Sequence, residues 1–119
     1  MNVQEIIQRL GVQWENIQYE RLPEIVENIC SLINLQYTQV TFEQNNDTMP
    51  TLFIYVETVG VLKFHVYHRL VNLNNQTLQL KYVTVAENEN NTAVSCNNLQ
   101  VLIDTIVKKL KHMASNKCD

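Results

Sequence analysis

A chain of 119 residues has room for one hydrophobic core and no second, and 45% hydrophobic with 18% charged residues places it among globular rather than disordered or fibrous chains. A formal charge of −3 argues against a protein that coats nucleic acid electrostatically, because that affinity grows with the number of Lys and Arg contacts. Met1 to Glu5 shows no basic stretch leading into an apolar run, and no window approaches the roughly 18 apolar residues of a membrane span, so a soluble, intracellular (cytoplasmic or nuclear) domain is expected.

Val3, Ile6, Ile7 and Leu10 follow helical spacing and stop at Gly11, a residue that ends helices because it tolerates the left-handed conformation. A connector carrying Trp14, Ile17 and Tyr19 leads to Pro23, placed where the first turn of a helix accepts proline. Leu22, Ile25, Val26, Ile29, Leu32 and Ile33 then form one stripe.

The period changes to two at Thr38, Val40 and Phe42, and the polar run Gln44 to Thr48 with Pro50 ends that first strand. Thr51 to Glu57 and Val61 to Leu70 read as the next two strands, paired antiparallel through Thr58-Val59-Gly60. After a turn at Asn74-Asn75, Leu78, Leu80 and Tyr82 alternate with Gln79, Lys81 and Val83 in a fourth strand. Glu87 to Asn91 is polar and aperiodic. Asn97 or Asn98 then caps a last amphipathic helix along Leu99, Leu102, Ile103, Ile106, Leu110 and Met113.

The expected architecture is a two-layer α+β domain over residues 1–114, in the order α-α-β-β-β-β-α, with a tail at 115–119. The helices pack on one face of a four-stranded antiparallel meander. That face buries Val40, Phe42, Leu52, Ile54, Val56, Leu62, Phe64, Val66, Leu78, Leu80 and Tyr82. Over roughly residues 20 to 113 the order of helix, four-strand meander and helix is similar to RWD and ubiquitin-conjugating-like folds, which often serve as interaction domains. The His-Pro-Asn triplet of active conjugating enzymes and the Tyr-Pro signature of RWD domains are both missing from the sequence.

Chemistry finds little purchase in this chain. His65 and His68, three apart on a strand, point to opposite sides of the sheet, and no acid or thiol stands at a helpful offset, so no metal is expected. Cys30, Cys96 and Cys118 lack CxxC spacing; the first two read as buried free thiols. No nucleophile elbow surrounds Ser31 or Ser95, and Gly11 and Gly60 alone cannot build a phosphate-cradling loop, so neither catalysis nor a cofactor is expected. Glu24, Glu27, Glu87 and Glu89 read as solvated or helix-dipole carboxylates, and Lys108, Lys109, Lys111 and His112 as complements to the end of the last helix. Three acceptor-type triplets, at Asn46, Asn75 and Asn90, mark polar loops.

The informative surface is the second face of the sheet, where Phe53, Tyr55, Val61, Lys63, His65, Tyr67, Arg69, Lys81 and Val83 gather aromatic and basic groups that a solvated face normally lacks. Either the first helix with Trp14 covers it, or a partner does. The expected function is a non-enzymatic protein-interaction domain, a small subunit or adaptor that binds another protein or itself through Phe53, Tyr55, Lys63, His65, Tyr67, Arg69, Lys81 and Trp14. The alternatives are single-stranded nucleic-acid or RNA binding on the same residues and a ligand cavity between sheet and helices.

Overall fold

The computed structural model describes residues 1–45, 50–72, 74, 77–88 and 93–115, with residues 70–72, 77 and 78 as backbone alone. Helix α1 spans Val3–Leu10, α2 Leu22–Leu32 and α3 Leu99–Ser115; the strands are β1 Val40–Asn45, β2 Thr51–Val56, β3 Gly60–Asn72, β4 Thr77–Glu87 and β5 Val94–Cys96. The Asn46 and Asn90 triplets, most of the Asn75 triplet and turn, and the tail from 116 lie outside the described residues.

Local chemistry accounts for the helix ends. The Asn2 side chain accepts the Glu5 N–H at 2.9 Å, and Gly11 closes α1 with φ 65° while its N–H reaches the Ile7 carbonyl. Two short 3-10 turns, Trp14–Asn16 and Tyr19–Arg21, carry the connector into α2, which has Pro23 in its first turn. Of the two asparagines before α3, Asn98 is the cap: its Oδ1 accepts the Val101 N–H at 2.9 Å and its carbonyl the Leu102 N–H at 3.1 Å.

The sheet is antiparallel throughout in the order β1-β2-β3-β4-β5. Among the described residues it therefore holds five strands where the sequence pattern shows four. The added strand, three residues long, pairs Val94, Ser95 and Cys96 with Val85, Thr84 and Val83, too short a run to show a period. The β2–β3 hairpin turns through Thr58 at φ 72° and Gly60 at φ 157°. Glycine is required there: a Cβ at Gly60 would stand 2.7 Å from Asn88 Oδ1 and 2.8 Å from Met113 Sδ.

A β-bulge changes which side chains share a face. Tyr67 pairs with Tyr82 but His68 pairs with Leu80, so β4 spends one extra residue, Lys81, at this point. The slip reverses the alternation beyond it. Val83, expected on the second face, is fully buried, and Tyr82, expected in the core, lies on the second face opposite Tyr67.

One core fills the space between helices and sheet. Leu52, Ile54, Leu62, Phe64, Val83, Val85 and Cys96 from the sheet meet Ile6 of α1, Leu22, Val26 and Ile29 of α2, and Leu102, Ile103, Ile106 and Leu110 of α3, all essentially without solvent exposure. Each large apolar residue there contributes about 2–5 kcal/mol against truncation to alanine. Of the two β1 residues expected in the core, Val40 packs half-buried against it, whereas Phe42 is 55% exposed on β1, an outer strand with no neighbour beyond it among the described residues. Cys30 and Cys96 are buried and unbridged; burial pushes the Cys30 thiol up to about 11 and raises that of Cys96.

Candidate functional site: the open face of the sheet

The three α-helices of the described residues lie on the core side, α1 packing against α3 and α2. The first helix therefore does not cover the second face. Trp14, half-buried in the first 3-10 turn, packs against the core and stands apart from that face. No described element lies over the sheet's other side, whose central side chains are half-buried by their neighbours alone.

Ladder register arranges this face in rows across the strands. Thr41, Tyr55 and Val61 form one row; Glu43, Phe53, Lys63 and Ala86 the next; Asn45, Thr51, His65, Thr84 and Ser95 the third; Tyr67 and Tyr82 the fourth. Phe53, Tyr55, Lys63, His65 and Tyr67 are thus brought together as the alternation of their strands predicts. Arg69 lies farther along β3, and Lys81 projects at the bulge; both are exposed.

The rings on this face are engaged with each other and with cations. Tyr67 and Tyr82 stack with centroids 4.1 Å apart at 23°. The Lys63 ammonium lies 5.7 Å from the centre of the Phe53 ring, and Lys81 6.0 Å from that of Tyr82. Polar tips pair laterally: Tyr55 donates its hydroxyl to Glu43 at 3.2 Å, Arg69 donates to Gln79 Oε1 at 3.1 Å, and Thr51 Oγ1 lies 3.2 Å from His65 Nδ1. Partial desolvation, with the Glu43 carboxylate as its acceptor, raises the Tyr55 phenol, while desolvation and the neighbouring Lys63 charge lower the His65 imidazole.

Two members of the site escape a reading of the sequence. Tyr82 is displaced by the bulge, for which the sequence offers no glycine or proline as a signal, although the apolar alternation Val83, Val85 is the stronger phase of β4. Glu43 stands between the alternation that ends at Phe42 and the polar run that begins at Gln44, and becomes visible as the acid of the second row once β1 is extended to Asn45.

The other side holds the remaining titratable groups. His68 points away from His65, toward the helices, with its ring edge-on to Tyr19 at 6.2 Å. Burial lowers its basicity. Beside α3 a cleft of about 450 Å³ is walled by Val94, Val101, Thr105, Lys109 and the Glu87–His112 pair. His112 Nδ1 donates to Glu87 Oε1 at 2.6 Å, and the second oxygen of this buried carboxylate has no partner among the described residues. No three His, Cys, Asp or Glu side chains gather as a metal site among the described residues, and no described helix is long and apolar enough to cross a membrane.

Searches for similarity find no matching family model, no matching curated protein and no matching solved structure.

Proposed function

We propose that this chain is a non-catalytic protein-docking domain that works through the open face of its sheet. One observation carries the reading: Phe53, Tyr55, Val61, Tyr67 and Tyr82 form an apolar patch on a side over which no described element packs. Such a patch, set among Lys63, Arg69, Lys81 and Glu43, has the composition of an interface core with a polar rim, in which aromatic residues and arginine are enriched. Partner burial of these rings supplies the binding energy; the charges set orientation and rate.

Single-strand binding uses the same residue types but needs ring faces free to stack on bases. Here the Lys63 ammonium stands over Phe53, and Tyr67 and Tyr82 occupy one face of each other. Docking to protein, which buries ring edges as readily as faces, fits this arrangement better.

The two readings separate by salt. Sedimentation measures association of the wild-type chain and of Phe53→Ala and Tyr67→Ala, and anisotropy measures binding of a labelled single strand to wild type and Lys63→Glu. Docking predicts association that persists at high salt and is lost on removing a ring, because apolar burial is little screened. Strand binding that falls steeply with salt and is lost in Lys63→Glu would replace this reading with the nucleic-acid one.

A further inference from the structure

We infer that the occupant of the β1–β3 part of the open face is a second copy of this chain, packed face to face about a two-fold axis running along β2, with β4 and its Tyr82 beyond the paired strands. The inference rests on the docking reading above and names its partner.

The second row supplies the reason. Glu43, Phe53 and Lys63 are directly opposed residues on three adjacent strands, so they lie in a line across the sheet, with acid and base equally spaced about the phenylalanine. Adjacent strands are separated by about 4.8 Å. A two-fold axis along β2 lays this line on a second copy of itself in reverse. Glu43 then meets Lys63 of the second copy, Lys63 meets its Glu43, and the two Phe53 rings meet on the axis. Sheets packed face to face stand roughly 10 Å apart, a gap that a glutamate and a lysine side chain close tip to tip.

The neighbouring rows obey the same operation. Tyr55 meets Tyr55 on the axis, and Thr41 lies over Val61; in the third row Thr51 meets Thr51 and Asn45 meets His65. No row of these three sets like charges against each other. An axis perpendicular to the strands through the same phenylalanine would instead set Glu43 against Glu43 and Lys63 against Lys63, so the charge pattern selects one of the two arrangements. The intervening phenylalanine keeps Glu43 and Lys63 of one copy from pairing directly; Glu43 accepts from Tyr55, and Lys63 rests over the ring.

The test exploits the isologous geometry. In Glu43→Lys every 43–63 contact across the interface becomes two lysines, and in Lys63→Glu it becomes two glutamates. Sedimentation equilibrium should show a dimer for the wild type and, for each variant alone, association weakened by about tenfold or more. An equal mixture of the two variants should form a heterodimer, since each contact then pairs a lysine with a glutamate. Both positions are on the solvent side of the sheet, and urea unfolding at concentrations below dimerisation confirms that each variant folds. A wild type that stays monomeric at every concentration overturns the self-pairing and leaves the face for a different protein. A dimer indifferent to both charge reversals and to Phe53→Ala overturns the self-pairing and the docking reading together, and variants that fail to pair when mixed overturn the two-fold arrangement.

Discussion

Replacing Gly60 with alanine tests the hairpin that sets the register of the whole open face. An alanine Cβ would stand 2.7 Å from Asn88 Oδ1 and 2.8 Å from Met113 Sδ, both closer than such contacts occur. The thioether can swing aside at little cost, because methionine is flexible. Asn88 cannot: its Oδ1 accepts the Val61 N–H at 2.9 Å while its own N–H donates to the Val61 carbonyl at 2.8 Å, tying the end of β4 to the start of β3. Moving it sacrifices a hydrogen bond to a backbone N–H, about 1 kcal/mol. The backbone at φ 157° adds about 1–2 kcal/mol of strain for any residue with a Cβ. The expected loss is therefore about 2–3 kcal/mol in urea unfolding, with an unchanged m value. In an Asn88→Gly background the same substitution should cost about 1 kcal/mol less, since the clash is gone. A loss below about 0.5 kcal/mol in the parent chain would refute the close approach of β3, Asn88 and α3.

Further expectations follow from other contacts. The bulge predicts that Val83→Ala costs about 2 kcal/mol in urea unfolding while Tyr82→Ala costs under about 1 kcal/mol; the reverse order would mean that β4 runs without a slip. Thiol labelling of the native chain should leave Cys30 and Cys96 unmodified until urea is added, because burial holds both above the ordinary thiol value. Reaction of either at the rate of a free thiol would contradict its burial. His65 and His68 are both less basic than in the unfolded chain. The unfolded chain therefore takes up protons first, and their contribution, complete above an unfolded value near 6.5, is lost as pH falls through it toward the lower folded values. The urea midpoint should accordingly drop from pH 7 to pH 5, and His68→Phe, which keeps the ring beside Tyr19, should flatten that drop. His112→Ala removes the donor to a carboxylate already short of one partner and should cost about 1–3 kcal/mol, whereas Glu87→Leu should cost less; equal losses would count against an uncompensated buried charge.

How far the sequence carried these conclusions depends on which residues set each feature. Helix boundaries were legible because single side chains decide them: Gly11 at one end of α1, Pro23 in the first turn of α2, Asn98 before α3. The faces of β2 and β3 were legible because strict alternation leaves Leu52, Ile54, Leu62 and Phe64 one side to occupy and Phe53, Tyr55, Lys63 and His65 the other. Features set by tertiary pairing were hidden. The bulge at Lys81 arises where β4 meets β3, and the three residues of β5 acquire a strand identity only beside Val83–Val85. Phe42 has a core-like place in its strand's alternation, yet β1 is the outer strand of the sheet, a position that no local pattern records.

Charge distribution supplies the last discriminating argument. The chain carries a formal −3, yet its open face holds Lys63, Arg69 and Lys81 against Glu43, so the acidic excess lies elsewhere, with Glu24 and Glu27 exposed on α2. Two copies approaching with their open faces therefore feel opposing terms: a weak mutual repulsion of net charge, and local attraction between Glu43 and Lys63 across the axis. Added salt screens both over a Debye length of about 8–10 Å, so the dimerisation constant should change less than about threefold between low and high salt. A strand of nucleic acid meets three cations and releases counterions from each, so its affinity would fall by orders of magnitude over the same range. A flat salt profile together with loss of association in Phe53→Ala places the free energy in the rings, and a steep one places it in the lysines.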